Sequence, residues 1–217
     1  MAKIFSASSN PDSLGNKFRT RRFRFFREAL KKFPTPVKII DVGGTEKYWL
    51  SQGFGNNNDV QITLVNLIPS TVTCSNMKSV TGNATDLSQY KDNEFDIAFS
   101  NSVIEHLYTK ENQLKMAAEM MRVGKHHFVQ TPNKYFPIEP HYLLPMFQFF
   151  PASLKYFILT KTKLSRGKKW NHEFSKQYID EIRLLSLNEM KQLFPGSKMY
   201  FEKVLLLNKS FTAHNLP

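Results

Sequence analysis

The sequence predicts a single α/β domain with a largely parallel sheet, on three observations. Short β-rich apolar runs (Val37–Val42, Val60–Asn66, residues 95–100 and 125–131) alternate with helix-forming stretches, which is the pattern of strand–helix–strand units. The stretch VKIIDVGGTEKYW, residues 37–49, passes from a strand through an acid, two glycines and a threonine into a helix start. Third, 217 residues bury one good core but are too few for two.

The composition narrows the partners. Thirty Lys and Arg against 18 Asp and Glu leave a net charge of +12, which points to an anionic partner: nucleic acid, an acidic membrane face or a phosphorylated substrate. The single cysteine, Cys74, excludes an intrachain disulfide and a multi-cysteine metal site. The first residues, MAKIFSASSNPDSLGNK, hold no apolar core of signal-peptide length, so a cytoplasmic location is expected, with contact at the inner face of a membrane as a variant. Residues 142–159 are apolar but interrupted by Pro145, Gln148, Pro151 and Lys155, and read as a buried or interfacial cap rather than a membrane span.

Taken in order, residues 16–33 form a basic helix in which Phe18, Phe25, Phe26, Ala29, Leu30 and Phe33 recur near helical spacing, with eight positive charges against Glu28 alone. Its bland reading is a helix packed by its phenylalanines; its sharper readings are a grip on an anionic substrate or rest on an acidic bilayer. Pro34 and Pro36 end it. After the first strand, Gly43 and Gly44 let the backbone bend sharply, so that a ligand can lie against N–H groups at a helix N-terminus, beside the acceptor Asp41. A short helix over 46–52, a loop GFGNNN and the second strand follow, ending at Asn66 and Leu67. A short strand runs to Gly82-Asn83-Ala84, the apolar strand 95–100 follows, and 102–107 opens a helix. In Lys110–Val123, Leu114, Ala117, Ala118 and Met121 mark one face, and Met116 and Met120 read as core. His126 and His127 alternate across the next strand and cannot share a metal, so no metal ligands are expected. Residues 132–175 look like an inserted cap, and 188–194 is helical. Residues 199–207 and 209–214 form a closing hairpin.

The ordered set DVGGT, LVNL, GNATDL, DNEFDIAFSNSVIEHL and HHFVQTPN resembles class I S-adenosylmethionine-dependent methyltransferases, in particular the type 11 group. The resemblance covers residues 37–133. It implies a Rossmann-like, seven-stranded, mostly parallel sheet with helices on both faces, a C-terminal antiparallel hairpin and a cap after the fifth strand, all in one domain, 1–217. It departs from the family at Thr45, where a further glycine is common, at Asn66, where an acid is usual, and at Asn83, where the family has Asp.

The resemblance further implies S-adenosyl-L-methionine as cofactor, with S-adenosyl-L-homocysteine as product. Asp41, Gly43, Gly44 and Thr45 would hold its methionine part, Asn66 and Leu67 the ribose side, Asn83 and Ala84 the adenine, and Ser100, Asn101 and Ser102 the methyl side. His106 is the first candidate for a base that takes an acceptor's proton, and His141 the second. Glu105, Tyr135, Glu139 and Tyr142 would orient the acceptor. A small-molecule or glycan O- or N-acceptor, phosphate- or lipid-linked, is expected. A nucleobase is disfavoured, because Ser100-Asn101-Ser102-Val103 stands where an amino-group DNA methyltransferase resembles Asn-Pro-Pro-Tyr, and Cys74 is misplaced for carbon-5 chemistry. An RNA acceptor stays open, as does a chain of this fold that works as a membrane- or RNA-binding protein.

Overall fold

The computed structural model describes residues 14–217, with side chains from Arg19 onward; the readings of residues 1–13 and of the Lys17 and Phe18 side chains lie outside the described residues. One seven-stranded sheet has the order β3-β2-β1-β4-β5-β9-β8. Its parallel part is β1 (Val37–Val42), β2 (Val60–Asn66), β3 (Met77–Thr81), β4 (Phe95–Asn101) and β5 (Gly124–Pro132). Two short cap strands, β6 (Ile138–Glu139) and β7 (Leu144–Pro145), pair with each other. The antiparallel hairpin β8 (Lys198–Val204) and β9 (Leu207–His214) closes the sheet against β5.

The central strands are near-continuous apolar runs because both their faces are covered. Successive side chains alternate between two cores. On one face Ile39, Ile62, Leu64, Phe99 and Phe128 meet Phe23, Phe26 and Trp49. On the other, Ile40, Val42, Ala98 and Val129 meet Met116, Met120, Met190 and Phe194. The helices responsible are α1 (Leu14–Leu30) and α2 (Glu46–Ser51) on the first face, α3 (Lys110–Val123) and α6 (Leu187–Leu193) on the second. As the alternation requires, His126 meets Phe33 while His127 lies on Phe194.

Two expectations need correction. In α3 the buried face is Gln113, Met116, Ala117, Met120 and Val123, while Leu114 and Ala118 are exposed; the second core lies one residue round from the stripe chosen by hydropathy, and the methionines fill it. Residues 102–107 do not open a helix: a lone 3-10 turn, Ile104–His106, is cut off by the left-handed Tyr108 (φ 62°), and Thr109 caps α3 separately. After β5, α4 (Ala152–Lys161) and α5 (His172–Glu181) pack around Tyr142, Phe147, Leu159 and Trp170, and a bridge joins Asn133 to Leu185.

The bland reading holds for most of α1. Phe23, Phe26, Ala29 and Leu30 are buried, each phenylalanine contributing about 1.5–3 kcal/mol. One of its charges is buried too: Arg22 pairs with Glu202 of β8 at 2.7 Å and donates to Asn101 Oδ1 at the end of β4. Arg21, Arg24, Arg27 and Lys31 stay exposed.

Breaking a buried pair from one side strands the other charge. Arg22→Met is expected to cost about 3–5 kcal/mol in denaturant unfolding. Arg22→Met with Glu202→Leu is expected to recover most of it; an additive double variant would show the pair to be uncoupled. His127 gives a pH signature. Its Nε2 stands 2.7 Å from Ser197 Oγ, and burial, with His214 and His126 nearby, pushes its pKa from 6.5 down to about 4. Between those values the unfolded chain binds the extra proton, so stability falls as pH drops through that window, by about 3 kcal/mol in all. His127→Gln is expected to flatten this part of the Tm–pH curve, and an unchanged slope would contradict the assignment.

Candidate functional site

Order reverses between β1 and β4, which is where ligands settle in open parallel sheets, at the strands' carboxyl ends. The loop after β1 holds Gly43, Gly44 and Thr45. Gly43 sits at φ +80°, and a Cβ on it would stand 2.4 Å from Val103 Cγ2, in the loop after β4. A Cβ on Gly44 would strike the Asp41 carboxylate. The two glycines are therefore dictated by the close approach of these loops. Thr45 caps α2 through its hydroxyl, accepting from the Tyr48 N–H at 3.3 Å. Gly43 N–H donates to the Val65 carbonyl, whereas no acceptor among the described residues meets the N–H of Gly44 or Thr45.

Asp41 lies beneath this turn. It is buried, accepts from the Trp49 indole at 2.7 Å, and leaves Oδ1 without a partner; burial pushes its carboxyl up to about 7. Asn66 donates its NH2 to the Gly44 carbonyl at 2.8 Å, a bond a carboxylate in that place could not give, and keeps its amide oxygen as an acceptor. Leu67 is exposed at the end of β2. These features fit an adenosyl ligand: a glycine cradle, two open N–H groups, an acceptor at the second strand and an apolar side chain beside it.

The other predicted cofactor residues are less free. Asn83 spends its oxygen on Thr85 N–H and Oγ1, and Ala84 packs against the second core. Ser100 is buried and donates to the Val42 carbonyl, tying β4 to β1. Asn101 is engaged by Arg22. Ser102, left-handed at φ 57°, gives its hydroxyl to Gln130 Oε1.

Beyond β4 the structure brings Glu105, His106, Glu139 and His141 together. Glu105 is fully buried; its Oε2 accepts from Thr131 Oγ1 at 2.9 Å, its Oε1 has no partner, and burial raises its pKa against the opposing pull of His141 and His106. His106 Nδ1 stands 2.7 Å from Glu181 Oε1 on α5. His141 Nδ1 stands 2.6 Å from Glu139 Oε1, and Glu139 Oε2 accepts from Tyr142 N–H. Burial alone would lower the His141 pKa, but Glu139 and then Glu105 outweigh it, and the net direction is upward. The two imidazoles meet edge to face at 5.0 Å. Tyr142, by contrast, is core of the cap, its hydroxyl given to the Tyr178 carbonyl, and Tyr135 stacks on Phe149 at the surface. Sequence reasoning missed Glu181, which no local pattern signals, and Thr131. It also overlooked the doubled Glu/His pattern, IEH at 104–106 and IEPH at 138–141, which was legible.

Comparison with known proteins agrees with this geometry. Residues 41–127, from the Asp41 turn to His127 in β5, match the type 11 family model described as a methyltransferase domain. Over 139 residues the chain is 26% identical to uncharacterized proteins of two Mycobacterium tuberculosis strains, covering 55% of this chain and 44% of theirs, so it spans about half the length of those relatives. Among solved structures, a S-adenosylmethionine-dependent methyltransferase of Methanosarcina mazei aligns over 85% of this chain and 93% of its own (14% identity, TM-score 0.51). A chain of the Haloferax volcanii complex between the Trm112 methyltransferase activator and a protein described as a methyltransferase aligns over 93% of both (11%, TM-score 0.54). At these identities the structures establish the fold, and the family model adds the sequence. Across residues 41–127 the chain is similar in sequence to the methyltransferase domain of the type 11 family, and its fold is one that S-adenosylmethionine-dependent methyltransferases share.

Proposed function

We propose that the chain methylates an O or N atom of a small-molecule or glycan acceptor that carries phosphate or lipid. The observation that carries this reading is the contact of Val103 with Gly43, which sets the cradle for the cofactor against the loop bearing Glu105 and His106. S-adenosylmethionine supplies an electrophilic methyl carbon on sulfur, which an acceptor heteroatom takes in an in-line displacement; the protein's part is placement and exclusion of water. Gly44, Thr45, Asn66 and Leu67 hold the cofactor. The proton of a hydroxyl acceptor leaves at the Glu105–His106–His141 cluster, where His106 has its Nδ1 held by Glu181 and, among the described residues, no hydrogen-bond partner on its Nε2.

Two features support the acceptor class. A cavity of about 180 Å³ beside Glu139 is edged by Lys134 and Lys155, cations suited to phosphate. The cap exposes Phe149, Phe150, Leu154, Phe157 and Leu164 alongside Lys161, Lys163, Lys168 and Lys169, a mixture suited to a lipid tail at an anionic surface. Among the described residues no helix is long and apolar enough to cross a membrane. The same patch favours the second reading, a membrane-binding protein with this fold.

S-adenosylhomocysteine at about a hundred times its Kd is expected to stabilise the chain by about 2.7 kcal/mol, raising Tm by about 5–10 °C for a domain of this size. Gly43→Ala, left-handed and blocked by Val103, is expected to abolish the shift. No shift in the wild type, with anionic vesicle binding intact in Gly43→Ala, would favour the second reading. His106→Ala is expected to lower turnover of an accepted substrate at least tenfold with little change in cofactor affinity; unchanged turnover would remove His106 from the chemistry.

A further inference from the structure

The geometry points to a divalent transition-metal site formed by Glu105, His106 and His141. One donor atom from each of the three lies within 4.8 Å of the other two. Each imidazole gives its Nδ1 side to a carboxylate of its own, Glu181 for His106 and Glu139 for His141. That arrangement fixes the tautomer with the proton on Nδ1 and a lone pair on Nε2, the form in which histidine binds metal, and the carboxylates raise its basicity. Among the described residues neither Nε2 has a hydrogen-bond partner.

Glu105 is the second, independent observation. It is wholly buried, yet Oε1 receives no hydrogen bond, although an unpartnered buried carboxylate oxygen is costly. The imidazoles are committed at Nδ1 to Glu181 and Glu139, so neither gives a hydrogen bond to Glu105. Thr131 holds only the other oxygen of Glu105, as a supporting hydroxyl holds a ligand in place.

Two imidazoles and one carboxylate suit a first-row transition metal such as Zn²⁺, Fe²⁺ or Co²⁺ better than Mg²⁺ or Ca²⁺, which prefer all-oxygen shells, and three protein ligands leave positions open. On the methyltransferase reading, on which only this role depends, an open position would take the acceptor hydroxyl. The metal would lower its pKa so that the proton is lost to solvent as the acceptor binds, and the oxyanion would then take the methyl group from the sulfonium, whose S–CH3 bond breaks to release S-adenosylhomocysteine. His106 then serves as ligand rather than base.

The test uses the untagged full chain, stripped with chelator and titrated with Co²⁺, Zn²⁺ and Mg²⁺, read by the visible Co²⁺ ligand-field bands and by bound metal after gel filtration. The expected result is one equivalent of Co²⁺, displaced by Zn²⁺ and not by Mg²⁺. Glu139→Gln and Glu181→Gln are expected to weaken binding about 10–100-fold, and His141→Ala and Glu105→Gln to abolish it. Should Glu105→Gln fail to fold, the partly exposed His106→Ala gives the same reading. No saturable Co²⁺ signal, or one that survives these substitutions, overturns the site. The melting shift with S-adenosylhomocysteine in chelator is measured on the same sample, so that failure of metal binding and failure of cofactor binding are told apart.

Discussion

The pairing of β1 with β4, Ile39 opposite Ile97 and Asp41 opposite Phe99, is the constraint on which the rest of the molecule depends. Because the strands run parallel and in this register, their carboxyl ends finish side by side. The glycine turn and the loop from Ser102 to Tyr108 must then share the same edge of the sheet. Val103 against Gly43 follows from that, as does the need for a residue without a Cβ. Below the edge, Phe99 stacks on Phe128 of β5 at 5.4 Å and meets Phe26 of α1 edge to face at 5.0 Å, so the packing that fixes the strands also fixes the height of the loops above them.

Burying charge is costly unless it is paired, and among the described residues four carboxylates are buried, each with different partners. Glu202 has an arginine. Glu139 has an imidazole and a backbone N–H. Asp41 has the Trp49 indole for one oxygen and nothing for the other, and titrates near neutrality. Glu105 has only a threonine hydroxyl. The first two have a basic partner each and hold the fold together: Glu202 fastens α1 to the hairpin, and Glu139 positions His141. The incomplete pair lies at the two loops where a ligand would be met, Asp41 under the glycine turn and Glu105 after β4, which is where incomplete satisfaction carries functional meaning.

Much of this was legible from the residues alone. The apolar runs at 37–42, 60–66 and 95–100 and the Gly-Gly turn gave the parallel sheet, because a strand buried on both faces leaves a plain mark in sequence. The closing hairpin was likewise readable. Side-chain commitments were not: nothing in GNATDL says that Asn83 will bond Thr85, or that Ser100 will reach the Val42 carbonyl. The face of α3 was misjudged because its burial follows β4 and β5 rather than hydropathy, so Gln113 is inside and Leu114 outside. The cluster around Glu105 lay half in view. Glu105 and His106 are adjacent in sequence, but the residues that complete them, His141 and Glu181, arrive from a cap whose path depends on its own small core of Tyr142, Phe147, Leu159 and Trp170.

A crystal structure with S-adenosylhomocysteine would show whether an adenosyl ligand lies across the β1 turn and the β2 end, beside the Glu105 cluster. The amino-acid part of the ligand is expected against the Gly44 and Thr45 N–H groups, a ribose hydroxyl on the Asn66 amide oxygen, and the sulfur facing the loop that carries Val103 and His106. Density for the ligand at another edge of the sheet, or its absence from crystals soaked well above the concentration that other members of this fold need, would contradict this placement.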